Sequence, residues 1–307
     1  MLPCLMVSYI AYWYQRPQKN ETTTVLIEKG ASLTQIAQLL TNQNIIGSPW
    51  LFKSVAYGTG AARKLKAGEY LIPSHITPAQ LIHILESGEV ILHAAVLIEG
   101  ETSARFVEKL LLNGHFKGVC EAPEEGSLFP ETYRFAHGTD CQIVLNQMKK
   151  AMAENLERVW TERCENHPLQ TPQELLVLAS IIEKETALHP EKPIVAGVFL
   201  NRIKKGIPLQ ADPTVVYALT NGRGSLGRAL CRLDLKIDSP YNTYLYKGLP
   251  PAPIANPSLT ALKAAAHPAD VPYLYFVADG SGGHVFSETL EKHQKHHANW
   301  RKIRQKK

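Results

Sequence analysis

The sequence predicts an α+β chain in three parts: an N-terminal membrane anchor, a small α/β module and a larger mixed α+β domain. Three observations predict it. Residues 2–14 are almost entirely apolar and are followed by Arg16 and Lys19. Residues 25–98 alternate short strand-like runs with capped helical patterns, and beyond about residue 96 longer helical patterns take over. With 307 residues, 45% apolar and 20% charged, the chain can bury more than one core.

In the first part, thirteen apolar residues fall short of the roughly 20 that usually span a membrane. Tyr12, Trp13 and Tyr14 stand where an interfacial belt would stand. No basic leader or small-residue cleavage site is visible, so a signal peptide is not expected. Residues 1–15 are therefore expected to form a single anchor, whose orientation the charges alone do not settle.

Residues 16–24 read as a polar linker. Val25–Ile27 is a strand signal ended by Gly30, and Ser32 can cap a helix holding Leu33, Ile36, Ala37, Leu39 and Leu40. A second helix is expected over 49–57. Residues 66–72 read as a turn and then a strand, and Thr77-Pro78 opens a helix through Leu85. A further strand is expected over 90–98. The expected domains are 22–95 and 96–307.

In the larger domain, helices are expected over 103–112, 140–163, 172–188, 193–204 and 258–266. Leu274–Ala278 reads as a strand entering a Gly-rich turn and a hairpin with His284–Ser287. The helix over 172–188 carries the most chemistry. Thr171 is an N-cap, Pro172 suits the first helical position, Glu174 completes a capping box, and His189-Pro190 ends the run. Leu175, Leu178, Ala179, Ile182 and Thr186 share one face. Glu185 falls on one edge of that face and Glu183 on the other, roughly 160° apart. Such glutamates do not line one cleft together, which argues against a two-carboxylate glycosidase pair. A Glu at an apolar edge can act as an acid, because burial keeps it protonated. The alternative is a surface helix with two solvated rim carboxylates.

Net charge is +5, with a basic excess in Lys292, Lys295, Arg301, Lys302, Arg304, Lys306 and Lys307. No basic patch interleaved with aromatics points to nucleic acid. The five cysteines, Cys4, Cys120, Cys141, Cys164 and Cys231, form no C-x-x-C pair, so no zinc ribbon or redox motif is expected. His293, His296 and His297 have helical ligand spacing, but the Lys and Gln around them read as a solvated face. No metal and no cofactor are expected.

Several further segments follow one another in a specific order: Glu125–Tyr133, Val195–Arg202, Leu209–Tyr217, Ser239–Tyr244, Gly248–Pro257, Ala264–Pro268 and Tyr273–Val277. With Ala179–Thr186, this set resembles the endolytic murein transglycosylase, or YceG-like, family over residues 22–300. The resemblance implies a LysM-like module followed by a lysozyme-like catalytic domain, anchored in a bacterial inner membrane and facing the periplasm. Glu185-Thr186 is similar to the acid and hydroxyl pair of lytic transglycosylases, which implies Glu185 as the catalytic acid. Gln210, Tyr241 and Asn242 resemble residues that hold the glycan. The implied substrate is the peptidoglycan glycan strand, and the implied partners are peptidoglycan synthases. Two other readings remain open. One is a lysozyme-like hydrolase, for which Asp212 is the candidate second acid. The other is a wall-binding scaffold without chemistry.

Overall fold

The computed structural model describes residues 2–305, and the side-chain surroundings of residues 5–302. The basic Lys306 and Lys307 lie outside these limits, as do the side chains of Cys4 and Arg304. The chain is mixed α+β and forms two compact units: residues 1–94 with 134–139, and residues 95–133 with 140–307.

The first unit begins with helix α1 (Leu2–Gln15). At 14 residues it is about 21 Å long, against a hydrocarbon core of about 30 Å. No helix among the described residues is long and apolar enough to cross a membrane, so the expected anchor has no spanning helix here. The end of α1 turns inward instead: Trp13 is buried in the core of the unit, and Ile10 and Tyr14 pack against it. Leu5, Val7, Tyr9 and Tyr12 remain exposed.

Strand β1 (Thr23–Ile27) leads to helices α2 (Leu33–Asn42) and α3 (Pro49–Gly58), and then to strand β2 (Gly68–Ile72) and helix α4 (Pro78–Ser87). Local chemistry sets these boundaries. Ser32 and Thr77 each make a full capping box, with Gln35 and Gln80, and Ser48 caps α3. β1 and β2 pair antiparallel, with Val25 opposite Tyr70. Alternation buries Val25, Ile27, Tyr70 and Ile72 against Ile36, Leu40, Phe52 and Leu81. The buried Tyr70 hydroxyl donates to the Lys66 carbonyl at 2.8 Å. Strand β3 (Leu92–Val96) follows.

The second unit holds helix α5 (Ser103–Leu112) and strand β4 (Phe116–Lys117). Strands β5 (Thr132–Ala136) and β6 (Thr139–Asp140) come next in the chain, residues 134–139 belonging to the first unit. Then come α6 (Cys141–Thr161), α7 (Pro172–Glu185), α8 (Lys192–Lys204), α9 (Asp212–Thr220) and α10 (Leu259–Ala266). The hairpin β7 (Tyr275–Ala278) and β8 (His284–Ser287) precedes α11 (Leu290–Gln305).

The core is built around α7. Every residue from Leu175 to Ile182 is buried, because α6, α8 and α10 enclose the helix on more than its apolar stripe. A helix apolar all round belongs inside a fold, so α7 is not the surface helix considered above. Gly197 allows α8 to approach the following chain. A Cβ there would lie 2.5 Å from the Ala269 carbonyl oxygen and 2.9 Å from a Val271 methyl. From the same helix the Asn201 amide donates to the carbonyls of Val271 and Tyr273 at 2.7 and 3.1 Å, fixing the chain that enters β7.

A disulfide joins Cys120 to Cys141, the first residue of α6, across 21 positions. Closing a loop of that length stabilises the fold by about 3 kcal/mol in the chain-entropy account. Reduction is expected to lower the melting temperature by about 10 °C. A Cys120→Ser/Cys141→Ser chain should melt at that lower temperature with or without reductant. Equal melting of reduced and oxidised parent chains would refute a stabilising role for the bridge.

Candidate active site

Helix α7 opens on the expected capping box of Thr171 and Glu174 but ends at Glu185, three residues early. The reason is Thr186, which leaves the helix with extended backbone. Its hydroxyl accepts from the Leu188 amide at 3.1 Å and donates to Glu191 at 3.0 Å. A side chain that offers local bonds of this kind competes with continued helix. Glu185 therefore stands at the end of the core helix, and its side chain opens into a cavity of about 300 Å³. Burial pushes its carboxyl up to about 8, and the nearby Asp212 carboxylate adds to the rise. At neutral pH it holds its proton.

Three further walls face Glu185. One is the turn before α9, with Gln210 and Asp212; another is β7, with Tyr275 and Phe276; the third is α11, with His293 and His297. Arg202 of α8 lies buried beneath and ties two of them together. Its Nε donates to the Leu274 carbonyl at 2.7 Å, and its Nη1 donates to the Pro208 and Leu209 carbonyls at 3.0 and 2.7 Å. Gln210 then takes a left-handed backbone, φ +52°, which costs a non-glycine residue on the order of 1–2 kcal/mol. The turn is held by the Gln210 amide on the Thr243 carbonyl at 3.0 Å and the Ala211 amide on the Thr243 hydroxyl at 3.0 Å. Tyr244 donates to Asp212 Oδ1 at 2.6 Å from the same cavity wall.

His293 overturns the solvated face expected for the C-terminal histidines. It stacks on Tyr275, with ring centroids 5.3 Å apart, and its Nδ1 is buried with no hydrogen-bond partner. Burial, then His297, Arg202 and His296, lower its pKa. A neutral imidazole thus borders the cavity with a hydrogen-bonding atom unused.

Comparison with known protein families matches residues 25–299 to the YceG-like family. This chain belongs to the YceG-like family. It is 33% identical to an endolytic murein transglycosylase of Bacillus subtilis (strain 168), over 91% of this chain and 85% of that protein. It is 29% identical to an endolytic murein transglycosylase of Streptococcus pneumoniae (strain D39), over 86% of this chain but only 55% of that longer protein. Its fold is similar to the crystal structure of a yceG-like protein of Listeria monocytogenes, with a TM-score of 0.57 and 28% identity, over 90% of this chain and 99% of that one.

Of the residues expected to form a site, this YceG-like chain brings Glu185 and Gln210 to one cavity, and Asp212 with them. Tyr241 and Asn242 do not line it. Tyr241 packs on Tyr217 of α9, ring centroids 4.9 Å apart. Asn242 is fully buried and spends its amide on backbone: Nδ2 donates to the Leu235 and Ile237 carbonyls at 3.1 and 2.8 Å, and Oδ1 accepts from the Tyr244 amide at 3.0 Å. That last bond sets the backbone of Tyr244, whose hydroxyl reaches Asp212. Glu183 is no solvated rim residue; it forms a buried ion pair with Lys192 of α8. Glu125 is also enclosed, accepting from the Ser103 amide at 2.9 Å and from Asn256 at 3.3 Å. His284 bonds Glu191 through Nδ1 at 2.7 Å and does not line the cavity.

Sequence reading missed Tyr244, His293 and helix α9. A signal for α9 was present, since Asp212-Pro213 places an acid and a proline in a first helical turn. The helical spacing of His293 with His296 and His297 is visible, but nothing local places His293 at the cavity, because its neighbours Tyr275 and Arg202 come from distant segments.

Proposed function

We infer that this chain is an endolytic murein transglycosylase, cutting the MurNAc–GlcNAc bond within nascent glycan strands without water. The observation that carries the reading is the neutral Glu185 carboxyl facing a cavity from the end of a core helix. The names of the relatives and the extent of the match support the substrate.

In the proposed step, Glu185 gives its proton to the glycosidic oxygen, and the C1–O bond breaks with oxocarbenium character at C1. The resulting carboxylate takes the proton of the C6 hydroxyl, and O6 bonds to C1. Glu185 ends protonated, as it began, and the new end is 1,6-anhydroMurNAc. The scheme needs one acid of raised pKa and no activated water. Gln210 and His293 offer hydrogen bonds to the sugar, and the Asp212 carboxylate can face the positive charge that develops at C1. Asn242 acts by setting the backbone of Tyr244, and Tyr241 by packing on α9 beneath the Asp212 turn.

Residues 96–307 would carry this chemistry in a lysozyme-like domain, with a LysM-like module over 22–95. We place the catalytic domain outside the cytoplasm, at the inner membrane and beside peptidoglycan synthases. The Cys120–Cys141 disulfide supports an oxidising compartment. The exposed Leu5, Val7, Tyr9 and Tyr12 of α1 support a membrane contact, although α1 alone is too short to cross.

The deciding experiment is mass spectrometry of sugar ends after incubation with purified peptidoglycan. Internal cuts ending in 1,6-anhydro sugar are expected. Reducing ends would refute the transglycosylase reading and assign a hydrolase, for which Asp212 stands in the same cavity. No cleavage of crosslinked or uncrosslinked glycan by the folded chain would assign a scaffold.

The pH profile adds a second check. Only neutral Glu185 donates a proton, so cleavage should be present below about pH 8 and lost as pH rises through that value. Asp212→Asn removes the neighbouring negative charge and should move the alkaline limb to lower pH. An unmoved limb would show that Asp212 does not act on the acid.

A further inference from the structure

Glu69, His93 and His137 converge within the first unit although they stand far apart in sequence. Glu69 lies on β2, His93 on β3, and His137 just after β5. Gly68 makes the first meeting possible. Its backbone is left-handed, φ +146°, and a Cβ there would collide with Val90 at 2.2 Å. The close approach lets the Ile91 amide donate to the Glu69 carbonyl at 2.7 Å, which sets the next residues of β3 beside Glu69. The chain then leaves the unit at residue 94 and returns at 134, bringing His137 to the same carboxylate.

The result is two imidazoles directed at one oxygen. Glu69 Oε2 lies 2.5 Å from His93 Nε2 and 3.9 Å from His137 Nδ1. The potential ligand atoms of the group lie within 4.8 Å of one another, and the two rings meet edge to face, centroids 5.7 Å apart. The side chains are 19%, 15% and 20% exposed, so an ion could enter while few waters compete for the donors. A simple ion pair needs one histidine. A second imidazole brought to the same oxygen is what a cation with nitrogen and oxygen ligands requires.

We propose that Glu69, His93 and His137 bind a divalent transition metal of the zinc type. The sequence expectation of no metal weighed only the cysteines and the C-terminal histidines, and Glu69, His93 and His137 stand too far apart in sequence to share a local motif. Metal bonds of about 2.0 Å in tetrahedral geometry put ligand atoms about 3.3 Å apart. The 2.5 Å contact between Glu69 and His93 would therefore open slightly as the metal replaces the proton between them. That proton moves to Nδ1 of the ring or to solvent. The ion would join β2, β3 and the returning chain, a structural role that leaves at least one coordination position for water or another donor.

The test uses the full chain, stripped with a chelator and titrated with Co²⁺, whose visible absorption reports coordination by nitrogen and oxygen, and then with Zn²⁺. It is independent of the transglycosylase reading, because uptake of metal is measured and not cleavage of glycan. One equivalent is expected to bind. At a hundredfold excess over Kd, Zn²⁺ should raise the melting temperature by about 5 °C. His93→Gln/His137→Gln should weaken binding at least about tenfold. Glu69→Gln should do the same, and serves if the double substitution does not fold. His293→Gln/His296→Gln/His297→Gln should leave the site intact. Absence of saturable uptake, uptake that survives in the folded Glu69 or histidine variants, or uptake lost with the C-terminal histidines would each overturn the proposal.

Discussion

Glu185→Gln is expected to give a folded chain that cuts glycan about 10²–10⁴-fold more slowly. The amide keeps the size and position of the side chain but cannot hand a proton to the leaving oxygen. Stability should respond in the opposite sense to activity. The Glu185 carboxyl has its pKa raised from 4.5 to about 8, so it favours the folded state fully below about pH 4.5, and that contribution is lost as pH rises through 8. The substituted amide stays neutral throughout. The variant should therefore match the parent in melting temperature near pH 5 and exceed it near pH 9. Cleavage at the parent rate would remove Glu185 from the mechanism. A variant that loses activity and also melts lower at pH 9 would show that the carboxyl serves the fold.

Lys192→Met should destabilise the second unit by about 3–5 kcal/mol. Lys192 is 1% exposed, and its Nζ donates to both Glu183 oxygens at 2.9 and 3.0 Å and to Ser258 and Thr260 at 3.2 Å. Glu183 in turn accepts from the Ser258 amide at 3.0 Å, at the start of α10. Methionine fills the space of the lysine stem but leaves a buried carboxylate without its cation. The melting temperature should fall by about 10 °C. Glu183→Gln/Lys192→Met should recover much of the loss, since neither partner is then left charged and unpaired. A single variant within about 1 kcal/mol of the parent would mean that Glu183 finds water once Lys192 is gone. Glu183 lies two residues before Glu185, so the weakened variant should also lose cleavage rate.

The elements legible in the sequence are those whose causes are local. Ser32, Thr77 and Thr171 announce helix starts because a hydroxyl and a Glu or Gln three residues later satisfy the same turn. Glu185 is legible because a carboxylate in an aliphatic run is costly wherever it is buried. The burial of α7 on all sides is not legible, because it depends on α6, α8 and α10 arriving around it. Glu183 reads as solvated until Lys192 is placed, and Lys192 comes from the next helix. Tyr244 and His293 belong to the site only through Asp212 and Tyr275, contacts across 32 and 18 positions that no local pattern records. Asn242 shows the converse. Its place in a motif near the acid is readable, but its amide is committed to three backbone partners.

The end of α7 gives the molecule an uneven mechanical character. Glu185 is mounted on a helix whose residues from Leu175 to Ile182 are all buried, whereas Gln210, Tyr244 and Tyr275 stand on a turn, a loop and a short hairpin, elements of the kind that open locally at lower free energy. On the proposed mechanism, entry and release of a polymer would come from the walls, with Glu185 as the stationary jaw. Such a division lets the walls diverge, and with them the length or decoration of the strand that fits, while the chemistry at the fixed side is untouched.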